Sequence, residues 1–252
     1  MNGLGALLKK EINEQLRTYR LVVVAGVFLL FGITTPLMLK YLPEIIKLAG
    51  AGDQLPVEIP PPTAVQSLVE YSGTVGQIGV LVAVLVAMGA IANELQRGTA
   101  VITLSKPVTR AAFVTAKWIA MSSTFLVSLA AASAICFAYT VWLIEPADAM
   151  SFFYLNLLLA VFLVFCLAVT LFFSSLFRSS LAAGGISIAV LVAQAGFSVL
   201  PVVGDYMPGK LLGWGNALFA GSQSHWWAFG ITIAATVLSL YFAQRSLRRK
   251  EM

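Results

Sequence analysis

Few side chains in this sequence have the types and spacing for chemistry. The one histidine is His225, and the two cysteines, Cys136 and Cys166, sit inside apolar runs. Zinc needs three or four convergent ligands, and none cluster along the chain. A Ser-His-Asp arrangement would have to use His225 with Asp205 as the nearest acid, and the chain has no nucleophile elbow. His225 stands beside Trp226 and Trp227, which reads as an interfacial aromatic belt. The cysteines read as small apolar packing residues. Residues 204–210, GDYMPGK, have the spacing of the first part of a phosphate-binding loop. Leu211 follows where a magnesium-holding Ser or Thr is required. The expectation is a chain with no catalytic residues, no metal and no nucleotide site of its own.

Ion-coupled carriers usually place ionisable groups inside their spans. Here the charged residues leave six long uncharged runs, at 21–39, 71–93, 118–144, 149–177, 179–204 and 211–244. Gln77, Asn156 and Gln194 are the strongest polar groups within them. They read as packing groups that hydrogen-bond between helices, or as the lining of a pathway. Pro36 and Pro201 are expected kinks.

The informative segment is 93–117, NELQRGTAVITLSKPVTRAAFVTAK. Gly98 suits the stop after a helix, where a left-handed residue is wanted. Thr99 can cap a short helix over 100–105, and Pro107 stops it. Thr109 is a cap for a helix running on into the third span. The short helix has an apolar side (Val101, Ile102, Leu104) and basic flanks (Arg97, Lys106, Arg110). Such an element can be gripped by another protein; it can also be a solvated loop.

These elements must be positioned by the rest of the chain. Of its 252 residues, 59% are hydrophobic and 11% charged, with a mean hydropathy of +0.89. A soluble domain carries roughly 25% charged residues, so this chain cannot cover a core with charge in water. It reads as an all-α integral membrane protein, because stretches such as LVAVLVAMGAIA and LLLAVFLVFCLAVTLFF are apolar on every face. Barrel strands would be shorter and would alternate. Each run is about long enough for one crossing, and the expected spans are 21–40, 71–93, 115–144, 150–177, 179–203 and 226–244. The first run reads as a retained span, not a cleaved signal.

Alternate water-facing segments hold 13 of the 16 Lys and Arg residues. The positive-inside rule then places both termini and the loop 94–114 in the cytoplasm. The net charge of +5 reads as a topology signal and an attraction to anionic lipid, with no nucleic-acid partner. Residues 4–19 read as an amphipathic interfacial helix. Leu4, Leu8, Ile12, Leu16 and Tyr19 form its apolar face, opposite Lys9, Lys10, Asn13, Glu14 and Arg17. Outside, residues 41–70 form a Pro-containing loop, either a cap over a pathway or a spacer. The Gly-rich stretch 205–225 reads as re-entrant or interfacial.

The pattern Glu94, Gly98-Thr99, then Pro107-Val108-Thr109-Arg110 and Lys117 resembles the intracellular loop of type-2 ATP-binding-cassette (ABC) transporter permeases. The topology resembles that family over the whole chain. The resemblance implies a plasma-membrane exporter with two permease subunits, identical or different. Two cytoplasmic ATPase subunits would carry ATP and Mg. It also implies that 100–105 is the coupling helix, with Glu94, Arg97, Gly98, Thr99, Val101, Ile102, Leu104, Pro107, Arg110 and Lys117 at the coupling region. In that reading Glu94 and Arg97 brace the second span, and Arg110 and Lys117 anchor the third at the headgroups. A non-transporting membrane scaffold, or a multi-pass membrane enzyme, remain the other readings. The substrate is not legible.

Overall fold

Apolar runs this long must satisfy their backbone groups internally. Among the described residues they do so only as helices. The computed structural model describes residues 3–48, 61–98, 109–201, 203–221 and 225–249. In chain order, α1 is Leu4–Arg17, α2 Arg20–Leu48, α3 Ala64–Ala87, α4 Ala92–Gln96 and α5 Arg110–Leu143. Then come α6 Ala149–Leu176, α7 Ser180–Phe197, α8 Lys210–Ala217 and α9 Trp226–Arg249. Short 3-10 turns lie at Gly204–Tyr206 and Leu218–Ala220. Six of these stretches are long and apolar enough to cross a membrane: α2, α3 with α4, α5, α6, α7 and α9.

α6 is the hub. In its most apolar window 72% of the residues are buried, against 22% in α7 and 28% in α2, α5 and α9. Its sequence is apolar all round, as suits a helix with many neighbours, although Phe153, Tyr154 and Leu157 near its start are exposed. α3, α5, α7, α8 and α9 pack around it, while α2 lies outside against α5 and α3. The α2–α5 crossing is close because Gly32 stands at it. A Cβ there would come 2.7 Å from the Ala132 carbonyl oxygen. Four residues earlier, Phe28 meets Phe125 edge-on at 5.6 Å.

Several boundaries differ from the expected ones. α2 runs through Pro36 and Pro43 to Leu48, and α3 begins at Ala64. Residues 41–48 and 64–70 are therefore helix, not loop, and 49–60 lie outside the described residues. The charges at Lys40, Glu44 and Glu70 mark where hydrocarbon ends, which is not where a helix must end. Here the helix ends are tied by polar contacts. Lys40 Nζ donates to the Leu143 carbonyl at 2.6 Å, and the Ala64 N–H donates to Glu145 Oε1 at 2.8 Å. Asp148 caps α6, accepting from the N–H groups of Met150 and Ser151. The Ser151 hydroxyl and those two N–H groups hold its carboxyl below the usual range. α7 ends at Phe197, six residues short of expectation. α5 starts at Arg110, capped by Thr109 as its sequence suggests, with the Ala112 N–H donating to Thr109 Oγ1 at 3.1 Å.

α1 buries Leu7, Glu11 and Gln15, while Ile12, Leu16 and Tyr19 of its apolar stripe are exposed. The stripe is turned away from the bundle, and Glu11 and Gln15, which the sequence reading assigned to neither face, are turned onto it. Gly98, just past α4, has φ +70°, the left-handed stop the sequence suggests. Gly98→Val is expected to cost about 1–2 kcal/mol, read as a lower melting temperature in detergent.

Candidate functional site

Lys117 lies two turns into α5 and its side chain is 3% exposed. A buried ammonium needs counter-charge, and two other helices supply it. Nζ donates to both carboxylate oxygens of Glu11 on α1, at 3.0 and 3.1 Å. It also donates to Glu94 Oε1 on α4 at 2.6 Å. Lys10 extends the cluster, 3.2 Å from Glu11 and 3.9 Å from both Glu14 and Glu94. Arg20 at the start of α2 lies 4.0 Å from Glu14. Partial burial works against the charge on Lys10, but the carboxylates of Glu11, Glu94 and Glu14 outweigh it and hold its ammonium above the usual lysine range. A raised lysine contributes its stability fully below the ordinary value and loses it only as pH rises past that value.

Lys117 therefore does not anchor α5 at headgroups. It joins α1, α4 and α5 at one end of the bundle. Glu11 is the partner that sequence reasoning missed. The signal was present: Lys117 sits among AAFVTAKWIAM, an apolar surrounding in which an ammonium calls for a counter-charge. Carboxylate oxygens of Glu11, Glu14 and Glu94 lie within 4.8 Å of one another, a spacing that could hold a cation. The ammonium groups of Lys10 and Lys117 already supply positive charge there.

Behind Glu94 the second span is broken. Between α3 and α4, residues 88–91 leave the helical ladder. Ser174 on α6 satisfies the freed groups. Its hydroxyl accepts from the N–H of Ile91 and of Ala92, both at 3.0 Å, and donates to the Met88 carbonyl at 2.8 Å. One hydroxyl thereby pins the break to the hub helix, using both lone pairs and its proton.

The same end carries two further ties. Arg110 Nη1 donates to the Leu247 carbonyl at 2.7 Å, satisfying the last turn of α9. Ser246 Oγ donates to the Ser175 carbonyl at 3.2 Å, linking α9 to α6. Arg97 is exposed just past α4. Thr99, Val101, Ile102, Leu104 and Pro107 lie outside the described residues.

The polar groups read as lining or packing separate here. Gln194 Nε2 donates to Ser198 Oγ within the α7 terminus, and Asn156 Nδ2 donates to the Phe152 carbonyl one turn back. Each of these bonds stays within its own helix. Gln77 is exposed on α3. At the opposite end, α8 lies against α3 and α6 with Leu211, Trp214 and Gly215 buried, and the Ser72 and Asn216 side chains are hydrogen-bonded at 2.8 Å. Lys210 Nζ lies 3.0 Å from Asp205, and His225 Nδ1 lies 3.7 Å from it. Hydrogen bonding and charge from Lys210 hold the Asp205 carboxyl below its usual range. Trp226 and Trp227 are exposed, and both cysteines are buried.

The family model described as "ABC-2 family transporter protein" matches residues 5–213. The chain is also 27% identical over 257 residues to "Uncharacterized transmembrane protein YxlG" of Bacillus subtilis (strain 168). That similarity covers 100% of this chain and 99% of the relative.

Proposed function

The chain belongs to the ABC-2 family of transporter proteins, and from that membership we propose that it is the permease subunit of an ATP-driven exporter in a plasma membrane. Permeases of this family associate with an ABC ATPase. In this reading two ATPase subunits bind ATP and Mg in the cytoplasm and do the hydrolysis. Two permease subunits form the pathway, and both termini of each face the cytoplasm. α1 lies in the headgroup layer on its exposed stripe of Ile12, Leu16 and Tyr19, and α8 is re-entrant.

The observation that carries the proposal is the triple junction at Lys117. Residues 99–108, with the proposed coupling contacts Val101, Ile102 and Leu104, are flanked by two held ends. On one side α4 is fixed by Glu94 to Lys117. On the other, Arg110 grips the end of α9. A push on this segment would be delivered to α1, α4, α5 and α9 together, and the break at 88–91 would let the inner end of the second span tilt. No ionisable group in the spans is needed to drive transport, because the energy arrives as motion.

The test is co-purification with the cognate ATPase after Val101→Asp and Ile102→Asp together. The expected result is loss of the assembled complex while the permease itself stays folded. Unchanged assembly and unchanged coupling of ATP hydrolysis to flux would reject the proposal.

A further inference from the structure

On the outward side of this chain, away from the hub, a groove of about 630 Å³ runs between α2 and α3. Leu30, Phe31, Met38 and Leu42 line it from α2, and Thr74 and Glu70 from α3. Its apolar wall is long: Leu30 and Leu42 are about 18 Å apart along a helix rising 1.5 Å per residue. Glu70, Thr74 and Gln77 follow at i, i+4 and i+7, so they form one polar stripe down the α3 side. Glu70 and Gln77 are exposed, and Glu70 has no ion-pair or hydrogen-bond partner among the described residues. Glu70 stands where the hydrocarbon ends, so the stripe sets an exposed carboxylate at the mouth of the apolar groove, with the Gln77 amide two turns further in. A cationic head beside Glu70 would match its charge while an apolar chain follows the α2 wall.

We propose that this groove binds a cationic amphiphile, with its alkyl chain along the α2 wall and its cationic head against Glu70. This rests on the exporter reading and names the substrate class for it. Charge complementarity commits the choice. An anionic lipid would meet the carboxylate, and a neutral chain would leave Glu70 unmatched. The Lys40 ammonium, the nearest cation on α2 with a described contact, is engaged with the Leu143 carbonyl.

The probe is radiolabelled hexadecyltrimethylammonium, bound to the full chain in phosphatidylcholine nanodiscs without ATPase or ATP. Saturable binding is expected. Glu70→Gln should weaken it about tenfold, the scale for losing one partly desolvated charge partner. Met38→Trp, which fills the groove and leaves the carboxylate, should weaken it at least as much. Hexadecyl sulfate should not compete. Equal binding by Glu70→Gln and the parent overturns the proposal, as does equal competition by the sulfate. So does a change of oligomeric state with unchanged probe affinity, which would make the groove a seam between copies. Intact binding without ATP-dependent flux in the assembled complex would sink the exporter reading and leave the groove. Flux that persists for other compounds, with no probe binding, would sink the groove alone.

Discussion

Lys117→Met is expected to destabilise the protein by about 3–5 kcal/mol, the usual cost of removing one partner from a buried ionic cluster. The reason is what the substitution leaves behind. The Glu11 carboxylate, which receives two hydrogen bonds from Nζ, would face Glu94 with only the half-exposed Lys10 ammonium beside them. Two buried carboxylates short of their main counter-charge would push α1 away from the bundle. Unfolding in detergent titrated with dodecyl sulfate measures the loss. The double variant Lys117→Met/Glu11→Leu separates charge from packing. It should recover a large part of the stability, because an apolar pair of similar volume replaces the buried ions. Lys117→Met with parental stability would show that the cluster is not a structural junction. On the proposed exporter reading, the single variant should also lose coupled ATP hydrolysis in the complex with its ATPase, since α4 would no longer be tied to α1 and α5.

Ser174→Ala is the second large effect. It removes one oxygen and strands the N–H groups of Ile91 and Ala92 together with the Met88 carbonyl. Each buried group left without a partner costs about 1–3 kcal/mol. The net loss should be about 2–4 kcal/mol once local rearrangement is allowed for. Amide exchange reads it directly: protection in a peptide covering residues 88–96 should fall by at least about tenfold, while α6 itself stays protected. A variant whose protection there is unchanged would mean the break is held by something other than Ser174.

How much of this was legible in the sequence depends on which kind of contact is asked about. The six apolar stretches were visible, because backbone groups in lipid leave the chain no other option. Gly98 and Thr109 were visible as well, since a left-handed stop and an oxygen cap are local requirements set by one residue. The hub role of α6 was half visible: FFYLNLLLAVFLVFCLAVTLFF is apolar on all faces, but so is a helix surrounded by lipid. The same ambiguity bears on α1. In water an apolar stripe points to the core, but at a membrane it is equally the face shown to lipid, because lipid tails are as apolar as leucine. Ile12 and Leu16 are turned away from the bundle, and what the sequence did not show is that Glu11 and Gln15 are turned onto it. The pairing of Glu11 with Lys117 spans 106 positions, and no local pattern links them. The break at 88–91 was hidden for the same reason. Nothing in MGAI forbids a helix; the alternative is stabilised by a serine 83 positions away. Gln77 and Gln194 looked alike in the sequence, and only the Ser198 hydroxyl, 3.0 Å from Gln194 Nε2, shows that one of them bonds within its own helix end.

The enclosure of α6 bears on the order of biosynthesis. Read from the N-terminus, this central helix enters the bilayer before α7, α8 and α9 exist to surround it. In water such a phenylalanine-rich rod, waiting half bare, would invite aggregation. In lipid the delay is nearly free, because acyl chains stand in for the missing neighbours. What cannot wait so easily is its hydroxyl-bearing end. Ser174 finds Met88, Ile91 and Ala92 already synthesised, whereas the Ser175 carbonyl is met by Ser246, among the last residues described. That tie cannot form until α9 has been made.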